Sequence, residues 1–242
     1  IIYMIASLII FTNSNSSIAS FFYLSASVIM GYLLYLLLST AAVELLNLII
    51  KMPSKLQGII SLSLAIVIST YGIWNANQIR ITERNFELKG LTENMKAVHL
   101  SDVHLGHIRG KDHLRRLVDK TLEQDPDMVF ITGDLFDGKI DMKVDVLGPL
   151  KDIKAPIYFV EGNHDIYTDS KSIKQYLKNT GVHVLENELV LSKGIQIMGL
   201  NHMRPNENSP GYRMNEYSIK TILEKTEINP DLPSILLHHS PD

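Results

Sequence analysis

Residues 128–134, Met128-Val-Phe-Ile-Thr-Gly-Asp134, join a short apolar run to an abrupt polar end. Three more apolar runs stop in the same way, at Ser101-Asp-Val-His104, at Gly162-Asn-His-Asp165 and at His238-His239. Short apolar runs bounded by turn residues are typical of buried strands. Segments with helical spacing, such as Lys111–Gln124, lie between them, and this alternation predicts an α/β fold with a largely parallel core.

The same periodicities predict the elements of the second part of the chain. The predicted strands are Met95–Leu100, Met128–Thr132, Pro156–Val160, Val182–Leu185, Glu188–Leu191, Gln196–Leu200 and Ser234–Leu237. The predicted helices are Lys111–Gln124, Ser170–Lys178 and Met214–Glu224. Residues 203–213 contain two prolines and a glycine and are predicted to form a loop.

Charge divides the chain into two parts. Residues 1–78 contain only three charged side chains, those of Glu44, Lys51 and Lys55, whereas residues 79–242 contain the other 46 and all nine histidines. In the first part, Ile18–Leu38 and Leu56–Trp74 each approach the roughly 20 apolar residues that span a bilayer. We therefore expect about three transmembrane helices in residues 1–78, the first of them incomplete, followed by a soluble domain in residues 79–242.

The linker between the two long apolar runs suggests an orientation. It is short and basic, with Lys51 and Lys55, and such loops are usually cytoplasmic. With three segments, the soluble domain would then lie on the non-cytoplasmic face of a multi-pass membrane protein. Arg80, Arg84 and Lys89 follow the last helix and oppose this orientation. Glu44 is expected at the water boundary of its helix.

Composition excludes several classes of protein. The 23 Lys and Arg residues nearly balance 26 Asp and Glu residues, which argues against a nucleic-acid binder that depends on a basic surface. The absence of cysteine excludes a disulfide scaffold, a thiol nucleophile and a cysteine-based metal site. The 45% hydrophobic content argues against a disordered chain.

The polar residues that follow the strands point to a metal site. In an open α/β sheet, the carboxyl ends of the strands meet at one edge, so these carboxylate, amide and imidazole side chains are expected to converge. Asp102 and His104 lie two residues apart in an extended segment and therefore share a side. Such ligands suit Mn, Fe or Zn, and two metals about 3.5–4 Å apart can activate hydroxide for attack at phosphorus.

The remaining histidines are expected outside the site. His99, His113 and His183 fall within predicted strands or near a helix start and are predicted to be structural or solvated. His202 follows a strand and is also predicted not to be a ligand. His107 and Arg109 flank the first motif and are candidates for contact with a phosphate group.

The four ordered motifs resemble those of the calcineurin-like metallophosphoesterase superfamily, and the preceding apolar helices resemble its membrane-anchored branch. The resemblance implies an α/β domain, a metallophosphoesterase-type β-sandwich flanked by helices, preceded by an all-α transmembrane region. It also implies a role for each matching residue: Asp102 and His104 hold one metal, Asp134 bridges, Asn163 and His239 hold the second metal, His164 is catalytic and Asp165 orients His164.

The resemblance implies a membrane-anchored phosphoesterase with two divalent metal ions that hydrolyses a phosphate ester by metal-activated hydroxide. Lipid-linked phosphates are candidate substrates, and no nucleic acid is expected as a partner. Two alternatives stay open: a non-catalytic, membrane-tethered binding module and a nuclease of the same superfamily. The family pattern finishes with a Gly-His-x-His motif that this chain lacks, so we expect the sequence to be a fragment cut at both ends.

Overall fold

A computed structural model describes residues 2–11, 14, 16–137, 145–202 and 219–240 of the chain. The chain divides into two compact units, with the boundary between Glu83 and Arg84. The predicted loop at 203–213 and the first residues of the predicted helix at 214–224 lie outside the described residues.

The first unit contains three helices, α1 (Ile2–Phe11), α2 (Ser17–Asn47) and α3 (Ser54–Ala76). Helix α2 begins where the Ser16 hydroxyl accepts a hydrogen bond from the Ala19 amide, and α3 begins after Pro53, which cannot donate one. By length and composition, α2 and α3 are candidates to cross a membrane. The 31 residues of α2 extend about 46 Å, which exceeds a hydrocarbon core of roughly 30 Å.

The second unit contains seven strands and three helices among its described residues. In chain order they are β1 (Ala97–Leu100), α4 (Lys111–Leu122), β2 (Met128–Thr132), β3 (Ile157–Val160), α5 (Asn163–Asn179), β4 (His183–Val184), β5 (Glu188–Ser192), β6 (Ile195–Gly199), α6 (Ile219–Lys225) and β7 (Ser234–Leu237). A 3-10 turn at Gly148–Asp152 precedes β3. Strands β2 and β7 have the predicted bounds.

These strands form two sheets. The first has the order β1-β2-β3-β4, and all of its pairs are parallel. The second has the order β5-β6-β7, with an antiparallel β5–β6 hairpin and a parallel β6–β7 pair. The hairpin turn places Lys193 and Gly194 at positive φ, as a two-residue turn between twisted strands requires. The predicted α/β fold is confirmed.

The alternation of side chains along β2 and β3 creates a core on each face of the first sheet. Val129, Ile131 and Phe159 face helices α4 and α5, where they pack with Leu114 and Leu177. The intervening side chains face the second sheet and pack against residues of β6 and β7; they are Met128, Phe130, Tyr158 and Val160. A period of two therefore explains why both strands are apolar throughout: each is buried on both faces.

Helix α6 covers the other face of the second sheet. Ile222 of α6 packs with Met198 and with Leu200, which follows β6. The order of layers in the second unit is therefore helix, sheet, sheet, helix. This arrangement gives three apolar cores, one on each face of the first sheet and one between the second sheet and α6. It leaves the carboxyl ends of β1, β2, β3 and β7 to carry polar residues.

Helix α5 begins seven residues earlier than the predicted start at Ser170. Its first turn carries the polar segment Asn163-His-Asp165, and the Asp165 carboxylate caps it by accepting from the Gly162 amide. The helix is interrupted at Asp169, whose extended backbone separates two helical segments. The Asp169 carboxylate then accepts from the amide and hydroxyl of Ser172 and caps the second segment, which is the helix that the periodicity predicts.

Two leucines test the assigned core. Leu177 of α5 is fully buried, whereas 65% of the Leu191 surface is exposed. We expect Leu177→Ala to lower the free energy of unfolding by about 2–5 kcal/mol, because the change removes buried methyl groups and leaves a cavity. Leu191→Ala should change it by less than about 0.5 kcal/mol. Pulse proteolysis of the detergent-solubilised protein in urea measures both, and equal effects would contradict the assigned packing.

Candidate metal centre

The candidate ligands lie where β1 and β2 end. Asp102, His104 and Asp134 all have positive φ, of 55°, 50° and 52°. This conformation costs about 1–2 kcal/mol for a residue that is not glycine, and it persists only where the surrounding structure enforces it. Backbone hydrogen bonds hold the two loops in this conformation. The His104 amide donates to the Asp134 carbonyl at 2.9 Å, and the Leu105 amide donates to the Leu135 carbonyl at 2.8 Å.

Three predicted ligands converge on one point. His104 Nε2 lies 3.8 Å from Asp102 Oδ1 and 3.7 Å from Asp134 Oδ2. The three side chains can offer ligand atoms that all lie within 4.8 Å of one another. The Ser101 hydroxyl donates to the other Asp102 oxygen and so restrains its carboxylate. The donor set of two carboxylates and one imidazole fits a divalent transition metal ion.

His239, after β7, approaches Asp134 from the second sheet. Its Nε2 lies 3.4 Å from Asp134 Oδ2. The Nδ1 atom donates to the Thr132 carbonyl at 2.9 Å, which leaves Nε2 as the atom with a lone pair toward Asp134. The neighbouring His238 instead donates from Nδ1 to the Ser240 carbonyl. The two adjacent histidines therefore have different environments, and only the His239 ring is held against Asp134.

Two glycines allow the loops to come this close. A Cβ atom on Gly133 would lie 2.7 Å from the Gly162 backbone and 2.7 Å from His239 Nδ1. A Cβ atom on Gly162 would lie 2.2 Å from Asp134 Oδ1. All three distances are far below a van der Waals contact, so any larger residue would separate the ends of β2, β3 and β7. The glycines before Asp134 and Asn163 are therefore required by the approach of three chain segments.

Asn163 and His164 occupy the first turn of α5. Asn163 is its first residue and is partly buried next to Gly162. The His164 amide donates to Asp134 Oδ1 at 2.9 Å, and the His164 ring meets the His104 ring nearly edge to face, with centroids 4.8 Å apart. The start of α5 thus brings the His164 imidazole to the same group as the first three residues, with Asn163 next to it in the chain.

Asp165 contributes to this group through the backbone. It is fully buried, and its two oxygens accept from the amides of Phe136 at 3.0 Å and Gly162 at 2.9 Å. Burial raises the pKa of Asp165 to about 6, although these amide hydrogen bonds act in the opposite direction. Asp165 therefore fastens the loop after β2 to the start of α5. The expected contact with the His164 ring comes from a different carboxylate.

That carboxylate belongs to Asp137, which the sequence analysis did not identify. Asp137 Oδ1 lies 3.0 Å from His164 Nδ1, and Oδ2 lies 3.8 Å from His104 Nδ1. His104, Asp137 and His164 form a second group whose ligand atoms lie within 4.8 Å of one another. A period of two places Asp137 on the opposite side from Asp134, but the positive φ of Asp134 breaks that alternation. In the sequence, the signal that could have identified Asp137 as a site residue is its acidic side chain three positions after Asp134.

Arg109, a candidate for contact with phosphate, is bound to the backbone of its own loop. Its guanidinium donates to the carbonyl of Val103 at 3.2 Å and to that of Asp102 at 3.5 Å. The Arg109 carbonyl accepts from the Gly106 amide at 2.8 Å. Arg109 therefore closes the loop that carries His104. His107 is partly buried in the same loop.

The other histidines have the following environments. His99 Nε2 lies 2.6 Å from the Thr132 hydroxyl, and burial lowers the pKa of His99. Burial and two nearby arginines lower the pKa of His113, and His183 stacks on Tyr158 with centroids 5.1 Å apart. His202 is buried beside the site, 5.8 Å from the His239 ring centre.

Comparison with known proteins agrees with this geometry. Residues 95–242 match the calcineurin-like phosphoesterase family. The chain belongs to that family. The resemblance stated from the motifs is confirmed, and the two-sheet domain of this calcineurin-like phosphoesterase carries every matched motif at a strand end.

Three relatives show the range of proteins that this chain resembles. It is 33% identical over 138 residues to a Danio rerio "transmembrane protein with metallophosphoesterase domain", which covers 54% of this chain and 32% of the relative. It is 31% identical over 166 residues to a Helicobacter pylori metallophosphoesterase, with 67% and 43% covered. It is 32% identical over 152 residues to the Archaeoglobus fulgidus DNA double-strand break repair protein Mre11, with 55% and 31% covered. The chain spans less than half the length of these relatives.

The adjacent histidines after β7 provide a matched test of the centre. We expect His239→Ala to weaken Mn²⁺ binding by more than about 100-fold, since loss of a mere supporting group costs about 10–100-fold. His238→Ala should leave the affinity within a few-fold of the original protein, because its ring donates to the Ser240 carbonyl. Calorimetric titration with Mn²⁺ measures both variants. A larger loss with His238→Ala would reverse the assignment.

Substitution of two carboxylates, those of Asp134 and Asp165, distinguishes direct binding of the metal from support of the loops that carry the ligands. We expect Asp134→Asn to abolish most metal binding, because the amide lacks the charge of a carboxylate that faces both His104 and His239. Asp165→Asn should weaken it by about 10–100-fold and also lower stability, since an amide group would face backbone donors. Metal content and urea stability of both purified variants give the comparison. Equal, mild losses of metal would exclude a central role for Asp134.

Proposed function

We propose that this chain is the membrane-anchored catalytic part of a phosphoesterase that uses two divalent metal ions of the Mn, Fe or Zn class. The observation that supports this most strongly is the position of Asp134 Oδ2. It lies 3.7 Å from His104 Nε2 and 3.4 Å from His239 Nε2, between imidazoles that come from different sheets. A carboxylate between two such nitrogens is suited to bridge two metal ions.

The proposed ligands follow from this arrangement. Asp102, His104 and Asp134 would hold one ion, and Asp134, Asn163 and His239 would hold the other. When bound, two such ions supply a water that is nucleophilic at neutral pH and positive charge for the oxygens of the phosphate. The side chains position that charge: Thr132 fixes the His239 ring through its carbonyl, and Ser101 restrains Asp102.

His164 is proposed as the catalytic proton donor to the leaving oxygen. Its Nδ1 donates to Asp137 Oδ1 at 3.0 Å, which fixes the ring and leaves Nε2 as the nitrogen that can exchange a proton with substrate. The His164 amide bond to Asp134 keeps the ring beside the ligands. Asp165 supports His164 from a distance, because its buried carboxylate holds the first turn of α5 in place.

The proposed substrate is a phosphate ester that reaches a membrane protein. Two helices of the first unit are long and apolar enough to cross a bilayer, and the Danio rerio relative is named as a transmembrane protein. Lipid-linked phosphates are therefore included among the candidates. The Mre11 relative supports a nuclease as a second candidate. The net charge of −3 argues against it, because affinity for nucleic acid depends largely on Lys and Arg.

A metal and substrate screen tests the function. The purified protein, loaded with Mn²⁺, Fe²⁺ or Zn²⁺, is assayed with aryl phosphate monoesters, an aryl phosphate diester, a phosphatidyl ester and single-stranded DNA. We expect turnover of a small ester that falls about 10²–10⁴-fold in His164→Gln while the metal content stays the same. A metal-loaded protein that turns over none of the four would favour the binding-module alternative. Turnover of DNA alone would favour the nuclease.

Reporter fusions test the proposed orientation, in which the second unit lies on the non-cytoplasmic face. A fluorescent protein that matures only in the cytoplasm should be dark when fused after Trp74, because the basic linker at Lys51 and Lys55 is expected to stay in the cytoplasm. The same reporter inserted in that linker should fluoresce and serves as the matched control. Fluorescence from the fusion after Trp74 would reverse the orientation.

A further inference from the structure

The turn that carries His164 also places exposed apolar side chains next to it. The ring centres of Tyr167 and His164 lie 6.0 Å apart at an interplanar angle of 68°. Tyr167 is 54% exposed, and the adjacent Ile166 is 37% exposed. A cluster of large apolar side chains beside a reactive group indicates a binding surface.

The loop that carries His104 adds a third apolar side chain. Ile108 is 57% exposed, at the tip of a loop that the Gly106–Arg109 backbone hydrogen bond closes. This loop and the first turn of α5 meet at Asp137, which contacts both His104 and His164. Ile108, Ile166 and Tyr167, here called the apolar rim, therefore belong to the two loops that also carry the two imidazoles.

The turn at residues 166–168 is fixed at both ends. On one side, Asp165 is buried and bound to backbone amides. On the other side, Glu161, also buried, accepts from the Ser170 hydroxyl and pairs with Lys174 at 2.8 Å. Elements held in this way place a side chain with the precision that selectivity requires. Ile166 and Tyr167 therefore lie on a turn that is fixed at both ends.

We infer that the apolar rim binds the leaving group of the substrate and so selects phosphate esters whose leaving group is a hydrocarbon, alkyl or aryl. This inference rests on the proposed function, because it uses His164 as the group that faces the leaving oxygen. The ring centres of Tyr167 and His164 lie 6.0 Å apart, so Tyr167 is an exposed apolar side chain next to the group that is proposed to face the leaving oxygen. The loop segments 101–110 and 161–169 offer one arginine, Arg109, and it is bound to the carbonyls of its own loop.

Hydrolysis-resistant phosphonates test the inference by binding, independently of turnover. The Mn²⁺-loaded protein is titrated calorimetrically with ethyl-, octyl- and phenylphosphonate, and empty detergent micelles provide the blank. Each methylene that the rim buries should tighten binding by about fourfold. The readout is the ratio of the ethyl- to the octylphosphonate Kd, which does not depend on the fraction of protein that is active. The phenyl compound distinguishes a preference for aryl groups from one for alkyl chains.

Variants identify the surface that is responsible. Tyr167→Ala should lower the Kd ratio about 15-fold, the contribution of roughly two buried methylenes, and Tyr167→Phe should retain it. Phe86→Ala is the matched control, since this ring is 80% exposed and lies outside both loops; it should leave the ratio unchanged.

Three outcomes separate this inference from the proposed function. A ratio near one in the original protein, or one that Tyr167→Ala does not change, overturns the inference even if the protein hydrolyses small esters. A large ratio that falls in Phe86→Ala to the same extent as in Tyr167→Ala indicates general adsorption and also overturns it. Failure of every phosphonate to bind, together with no turnover in the substrate screen, overturns the proposed function and the inference with it.

Discussion

The buried carboxylate of Asp134 is the constraint around which the second unit is organised. Only 4% of this residue is exposed, and an anion in such a place needs hydrogen bonds or positive charge around it. The His164 amide donates to one oxygen, and two imidazoles face the other. Because those partners come from β1, β3 and β7, the need to surround one carboxylate brings the ends of two sheets together. Gly133 and Gly162 supply the space for that approach.

The fold follows from local patterns in the sequence to a large extent. Strands β2 and β7 have their predicted bounds, because short apolar runs in this chain stop abruptly at glycine or histidine. The pattern did not indicate that α5 starts at Asn163. Its first turn contains Asn163, His164 and Asp165, and Asn and Asp favour caps and turns over helix interiors. The tertiary contacts of Asp165 stabilise this turn, and contacts between distant residues leave no local signature.

The candidate site shows the same division between local and distant causes. The motifs placed Asp102, His104, Asp134 and His239 in one group because the carboxyl ends of parallel strands share an edge. The position of Asp137 depends on the positive φ of Asp134, which reverses the side on which the following residues lie. The backbone partners of Asp165 depend on how the loop after β2 meets α5. The motifs indicate which residue types lie near the site. The backbone conformation decides that Asp137, and not Asp165, reaches the His164 ring.

The buried carboxylates of Asp134 and Asp165 explain why the loops of the centre direct several backbone amides at side-chain oxygens. Asp134 adds to the rise in the pKa of Asp165, because burial and a nearby negative charge both disfavour its ionised form. Amides of Gly162 and Phe136 offset this cost at Asp165, and the His164 amide does so at Asp134. These amides are also the ones that hold the start of α5 against the end of β2. The hydrogen bonds that make the buried charges tolerable therefore also set the position of His164 beside Asp134, so at this point the electrostatics of the centre and its geometry have the same cause.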